Sequence, residues 1–202
     1  GIANDFSAVF WNPAGAAGFR KEMFGFYATD LIPTATYRLT SMIPEVPYVD
    51  AKTQTSHYLG GLAAYYKPIS SRVVVGLGIG TPSGLGAMWD GQDFANLTSG
   101  VVYDWSSKVG VVSISPLVAV KLSDTVSVGA TVNLNYGMFS LKMPAGSVVL
   151  ADPPGTPVDL GQYEENMNGW GIGATFGVLV TPSEKLGFGL TVRTPSTVTS
   201  RS

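Results

Sequence analysis

His57 is the only histidine in this chain, and there is no cysteine. A lone imidazole can act as a general base only if a nucleophile and an orienting group stand beside it. The sequence holds no Gly-x-Ser-x-Gly elbow and no His/Asp/Glu cluster at metal-ligand spacing. His57 lies near the start of an alternating segment, where it reads as an interfacial or loop-base side chain. Asp90 and Asp93, in "MWDGQDF", place two carboxylates near one Gly, a pattern that suggests calcium but more often marks a solvated loop. "GLGIGTPSG" superficially resembles a phosphate-binding loop, yet its glycines alternate as in a strand and no helical pattern follows. The residues give no catalytic site, no metal and no cofactor, so an enzyme is not expected.

The residue types point instead to binding. The stretch from Pro82 to Trp105 carries Leu85, Met88, Trp89, Phe94, Leu97 and Val101, with Tyr103 and Trp105 behind them. Connecting segments are normally polar, so an apolar one needs a reason. One reading is a greasy groove that captures a hydrophobic ligand; the other is that these side chains cap the structure beneath. "DFANLTSGVVYDW" has room for a short amphipathic helix. Arg193 falls on the small-residue face of its segment, where it can meet a ligand carboxylate or pair with an acid such as Asp5. Lys108 and Lys142, near segment ends, suit snorkelling toward water.

The elements that must position these residues are strands. Hydrophobic residues make up 45% of the 202 and charged residues only 13%, about half the usual charged share. No run approaches the ~20 apolar residues of a spanning helix. Net charge is −2 without a basic block, which excludes an electrostatic footprint for nucleic acid. The chain opens at Gly1 with neither an initiator Met nor a charged n-region, and reads as processed or trimmed. Period-2 alternation dominates. In "TVSVGATVNLNYGMFSLK", Val126, Val128, Val132 and Leu134 share one face, and Ser127, Gly129, Thr131 and Asn133 the other. The same holds around Trp170–Val180, Leu186–Val192 and Val73–Ile79. Seven strands are expected, over roughly 23–39, 56–67, 72–81, 106–121, 125–142, 168–180 and 186–198. Several are longer than ordinary globular strands and suit a tilted membrane crossing.

Loop lengths alternate. "PISS" (68–71), "LSD" (122–124) and "TPSEK" (181–185) are tight reversals, whereas about 40–55, 82–105 and 143–167 are long. Short periplasmic turns and long external loops are the rhythm of a transmembrane antiparallel β-barrel. The faces opposite the apolar ones are Gly, Ser, Thr and Asn, which suits a lumen packed against something inside it. Single-chain barrels have even strand numbers, and an open sheet in lipid would leave edge groups unpaired. Seven strands therefore imply a larger polypeptide or a remaining half, on the same chain or another.

One segment remains. "ANDFSAVFWNPAG" is apolar yet broken at Asn12-Pro13-Ala14, so it fits neither a strand in lipid nor an aqueous tail. It is similar to the plug signature of the FadL-type outer-membrane transporters of long-chain fatty acids and other hydrophobic compounds. "GLGIGTPSGLGAMWD", "SPLVAVKLSDTVSVGATVNLNYG" and "GWGIGATFGVLVTPSEKLGFGLTVRT" resemble that family's successive strands and hairpins, in the same order along nearly the whole chain. The resemblance implies an all-β barrel of about fourteen strands, an even number as expected, with an N-terminal lumen hatch over 1–21 and the first half of the barrel over 22–202. It implies residence in the bacterial outer membrane among lipid and lipopolysaccharide, and facilitated diffusion of fatty acids or hydrocarbons without a cofactor. It implies ligand capture at the Pro82–Trp105 loop, a lumen pocket, hatch movement, and sideways exit near a kinked strand. Gly76, Gly78 and Gly80 make the third strand the candidate for that exit. A structural or adhesive barrel with a permanently closed plug, and a soluble lipid-binding barrel, are the alternatives. The residues do not name the ligand.

Overall fold

The computed structural model describes residues 4–40, 49–151, 155–183 and 185–201. Twelve strands are present among them: β1 (Met23–Leu31), β2 (Thr36–Leu39), β3 (Val49–Lys52), β4 (Tyr58–Pro68), β5 (Val73–Trp89), β6 (Trp105–Lys121), β7 (Val126–Pro144), β8 (Ser147–Leu150), β9 (Thr156–Asp159), β10 (Gln162–Ser183), β11 (Leu186–Arg193) and β12 (Thr197–Arg201). One antiparallel sheet runs in the order β1-β4-β5-β6-β7-β10-β11, with β12 also on β10. The order follows the sequence, so every connection in the sheet is a hairpin, short at one end and long at the other. β2–β3 and β8–β9 are separate two-stranded ribbons built into two of the long connections. Part of the first long connection, 41–48, lies outside the described residues.

Four expected boundaries are corrected, two of them by proline. The strand expected over 23–39 stops at Leu31, resumes at Thr36 and then pairs with β3 instead; Pro33 sits in the break and has no N–H for a ladder. The strand expected over 186–198 breaks at Thr194-Pro195-Ser196, and β12 then resumes along the same edge of β10. Thr194 carries the pairing across that break: its N–H donates to the Ala174 carbonyl at 2.9 Å, and its hydroxyl accepts from the Ala174 N–H at 2.9 Å. The third strand does not end at 81 but runs to Trp89, absorbing Pro82 in a register shift between Gly80 and Ser83. Bulges are where a strand tolerates proline. β10 begins six residues before the expected 168, because "QYEENM" is polar but stays in unbroken register with β7.

The period-2 reading of the faces holds. On β7, Thr131 is 2% exposed and its neighbour Val132 46%. Val132, Leu134, Phe176, Phe188 and Leu190 project from the outer face. The inner face is covered by the N-terminal segment: α1 (Ala8–Trp11), one helical turn, then a 3-10 helix over Pro13–Gly18. Ala8, Val9, Ala16, Ala17 and Phe19 pack on Leu62, Ala64 and Tyr66 of β4, Val74 of β5, and Leu117 and Ala119 of β6. This is the core of the molecule. A second, smaller core lies at the long-loop end, where Val49, Ala51 and Phe94 pack with Leu39, Trp89 and Trp105.

Candidate functional site: the inner face and its N-terminal plug

Asn12-Pro13 is the corner of the plug. Asn12 has extended backbone (φ −155°, ψ 102°), the conformation a residue before proline prefers. Its side-chain oxygen accepts from the Ala14 N–H at 3.1 Å, capping the 3-10 helix, and Pro13 occupies the first helical position, where no N–H is needed. Its Nδ2 donates to the Val178 carbonyl of β10 at 3.2 Å. The same side chain thus shapes the corner and fixes it to the wall, while fully buried.

The wall receives this corner at positions without side chains. A Cβ on Gly129 of β7 would lie 2.5 Å from the Pro13 carbonyl carbon, and one on Gly177 of β10 would coincide with the Asn12 amide oxygen. Gly78 of β5 faces Val9 in the same way, at 2.6 Å, and Gly25 of β1 faces the Phe6 ring. Hydrogen bonds complete the mooring. The Tyr66 hydroxyl donates to the Phe6 carbonyl at 2.6 Å and accepts from the Val9 N–H at 2.9 Å. The Thr191 hydroxyl donates to the Trp11 carbonyl at 3.1 Å. Arg193 donates through Nη2 to the Phe10 carbonyl and lies over the Phe10 ring, 4.6 Å from its centroid. No ion pair joins Arg193 to Asp5 among the described residues. Asp5 accepts instead from the Ser7 hydroxyl and N–H, at 2.6 and 2.8 Å, which hold its carboxyl below the usual range.

Above the plug, toward the long loops, is a cavity of about 240 Å³. Val9 and Phe10 form its floor, Leu62, Gly78, Gly80 and Pro82 one side, and Ser113, Ser115, Asn133, Asn135, Thr175, Arg193 and Ser196 the other. The polar side is internally bonded: Ser115 donates to Asn133 at 2.8 Å, Asn133 to Thr175 at 3.0 Å, and Asn135 to Ser196 at 2.8 Å. The cavity wall is thus apolar on the β4–β5 side, and on the other side hydroxyls, amides and one guanidinium stand among Val111, Ala174 and Val198.

Beside this cavity the sheet is incomplete. β4 and β5 pair from Pro68↔Val74 only to Leu62↔Gly80. Beyond that point Tyr58–Gly61 ladder only with β1, and Ser83–Ala87 only with β6. The Thr81 hydroxyl stands in for the next rung, accepting from the Gly61 N–H at 2.7 Å. Higher up, the chain after β3 closes over β5: Thr53 bridges Trp89, and the Gln54 N–H donates to the Met88 carbonyl at 2.7 Å. A window framed at both ends remains between β4 and β5.

The expected capture residues are distributed over these parts. Leu85, Met88 and Trp89 lie on β5, and Phe94 and Leu97 on a 3-10 helix over Gly91–Thr98. Phe94 is 5% exposed, stacked on Trp105 (4.5 Å) and Tyr37 (6.1 Å) and edge-on to Trp89 (5.9 Å). It is a core residue of the loop layer. Leu85, Leu97 and Val101 are exposed. Arg193 is with the plug, far from this layer in the chain. Gly76, Gly78 and Gly80 face inward against Tyr66, Val9 and Leu62, so they seat neighbours; the irregularity falls just beyond them, at Thr81-Pro82. Asp90 caps the 3-10 helix by accepting from the Gln92 N–H at 3.0 Å, and Asp93 accepts from the Lys52 N–H. His57 bonds Asp30 through Nδ1 at 2.6 Å, exposed, at the long-loop end of β1 and β4. Lys142 meets Glu164 at 3.0 Å and Asp104 at 3.4 Å. Tyr66, Thr191 and the window carry no mark in the sequence that distinguishes them from neighbouring strand residues.

The chain shares its fold with solved structures that are remote in sequence. A Pseudomonas aeruginosa FadL homologue is 20% identical, with a TM-score of 0.62, over 93% of this chain and 47% of that one. The P. putida toluene transporter TodX is 18% identical, with a TM-score of 0.68, over 89% and 48%. A deltaS2S3 mutant of TodX, described as a monoaromatic hydrocarbon channel, is 16% identical, with a TM-score of 0.70, over 95% and 51%. The chain spans about half the length of these structures. No curated protein matches it. The family model described as outer membrane protein transport protein (OMPP1/FadL/TodX) matches residues 1–199, and the chain belongs to that family of outer-membrane transporters.

Proposed function

We propose that residues 1–21 are the movable hatch, and residues 22–202 the first half of the barrel, of a channel that carries hydrophobic compounds across the outer membrane. The observation that supports this best is the neighbourhood of cavity and window. A half-apolar cavity stands directly above the plug, and beside it the wall lacks backbone pairing. A solute that reached the cavity from the loop layer would find an exit between β4 and β5 toward the lipid-facing side. The exposed Leu85, Leu97 and Val101, beside Met88 and the Trp89–Phe94 cluster, form the capture surface. Gly76, Gly78 and Gly80 line the approach to the exit. Asn12, Pro13 and Ala14 form the corner on which the hatch turns. Arg193 and the hydroxyl-lined side of the cavity suit an amphiphile such as a long-chain fatty acid, whose carboxylate a guanidinium can hold; the apolar side accepts its chain. No covalent chemistry enters.

The dense mooring of the plug favours a second reading, a barrel that stays shut. The test is uptake of a radiolabelled long-chain fatty acid, and of toluene, into vesicles carrying the full-length protein. Uptake above that of protein-free vesicles is expected for both, and Arg193→Leu, which also loosens the plug, should lower the ratio of fatty-acid to toluene uptake. No uptake of either would leave the shut barrel.

A further inference from the structure

The window between β4 and β5 is not empty. The Tyr58 side chain, from the first residue of β4, crosses it and sets its hydroxyl against Gly86 of β5, 2.5 Å from where a Cβ would stand. Only a glycine admits the ring there. The hydroxyl is fully buried and has no hydrogen-bond partner, one of two such side-chain atoms among the described residues. A buried phenol normally finds a partner, because leaving water without one is costly. The strands on either side are held independently of Tyr58. His57, the residue before it, bonds Asp30 of β1; Thr81 holds Gly61; and Thr53 holds Trp89. Removing the ring would therefore leave the frame standing. Leu59 and Ile79, on the outer sides of the two flanking strands, are exposed and apolar, so the window is set in a lipid-compatible surface.

We infer that Tyr58 is the latch of this window: its ring blocks passage between lumen and lipid, and it must swing off Gly86 for a hydrophobic solute to leave. The inference rests on the transport reading above and adds the residue that sets the rate of exit. The unpartnered hydroxyl gives the latch a built-in tension. Closed, the oxygen is dry and unbonded; swung out, it regains a partner. The closed state is thus held by packing of the ring and opposed by its oxygen. Two substitutions should then act in opposite directions. Tyr58→Ala removes the bar, and exit becomes severalfold faster. Tyr58→Phe keeps the ring and removes the penalty of closure, so exit becomes slower. A side chain that serves only as packing would not give opposite signs in two folded variants.

The experiment uses full-length protein in lipid vesicles with two readouts. The first is uptake of a radiolabelled long-chain fatty acid. The second needs no transport: Ser83→Cys places a thiol on the cavity lining beside the window, and its labelling by a maleimide borne on a lipid acyl chain reports access from the membrane. Labelling should be slow with Tyr58, faster with Tyr58→Ala and slower still with Tyr58→Phe, and uptake should follow the same order. Unchanged labelling in folded Tyr58→Ala would overturn the latch, whatever uptake does. A labelling series in the expected order with no fatty-acid uptake in any variant would uphold the latch and defeat the transport reading.

Discussion

At the scale of single residues, the corner of the plug shows how one side chain can be committed twice. Asn12 caps the 3-10 helix with its oxygen and reaches Val178 with its nitrogen, and Gly177 gives it room. Each buried hydrogen bond of this kind contributes about 0.5–1.5 kcal/mol, and an orphaned partner costs more. Asn12→Ala should destabilise the seated plug by about 1–3 kcal/mol, since it leaves the Val178 carbonyl and the Ala14 N–H without their side-chain partner. Gly177→Ala should do comparable damage by a different route, because the new methyl takes the place of the amide oxygen. Combined, the two should cost clearly less than their sum, since each removes the same contact. The measurement is trypsin cleavage after Arg20 or Lys21 in the folded full-length protein, with rates compared across the four members of the cycle. Additive effects would mean that the corner and Gly177 do not share a contact. The sequence marked Asn12-Pro13-Ala14 as unusual because proline punctuation stands out of an apolar run. It did not mark Gly177, which looks like every other glycine in an alternating strand.

At the scale of elements, the strands were legible and their ends were not. Alternation at Thr131/Val132 gave the two faces correctly, because period 2 leaves only two choices and composition separates them. Proline misled in two opposite senses. Pro33 and Pro195 broke segments read as continuous, whereas Pro82 was absorbed at a bulge within a segment read as ended. Whether proline stops a strand depends on the neighbouring ladder, which a single strand's sequence does not contain. The helix suggested in "DFANLTSGVVYDW" exists only as a 3-10 segment that starts earlier, at Gly91. The face assignment carries its own test. Val132→Arg should cost roughly 2–4 kcal/mol near the bilayer midplane, read as a lower urea midpoint for the protein in vesicles. Thr131→Arg should leave the wall inserted and instead displace the plug, because Thr131 is buried beside the residues that hold Pro13. Its signature should be faster trypsin cleavage after Arg20 with little change in the urea midpoint. Similar urea shifts at both positions would contradict the division of faces.

At the scale of the whole molecule, the sheet of described residues has two uncovered edges, β1 on one side and β11 with β12 on the other, and between β4 and β5 it has the window. Loop rhythm announced the hairpin order, since short and long connections alternate as a barrel requires. The window was invisible, because it results from what β4 and β5 fail to do together; each strand alone reads as complete. The cavity was equally hidden: its polar side draws residues from β6, β7, β10, β11 and the break after β11, and two that bond directly, Asn135 and Ser196, are 61 positions apart in the chain. The whole-molecule prediction concerns movement of the plug. In the Val9→Cys/Gly78→Cys double variant the two Cβ atoms would stand about 3.3 Å apart, close to the separation a disulfide spans. Oxidation should stop fatty-acid uptake, and reduction should restore it. Uptake that persists in the oxidised, cross-linked protein would show that solute passes with the plug in place.

The mooring of the plug has one more consequence. Tyr66, Thr191 and Arg193 all grip it by carbonyl oxygens, those of Phe6, Trp11 and Phe10, and Tyr66 also takes the Val9 N–H. Every peptide offers those atoms whatever its side chains. At these points the wall therefore recognises the path of a backbone, and it reads spelling where side chains are seated directly: Asn12 on Val178, Val9 on Gly78, Phe6 on Gly25 and the Phe10 ring under Arg193. Trp11, which is exposed, is free to be exchanged so long as the turn at Asn12-Pro13 keeps its course. A synthetic peptide that keeps the seated side chains and the path but alters Trp11 should dock in the segment's place.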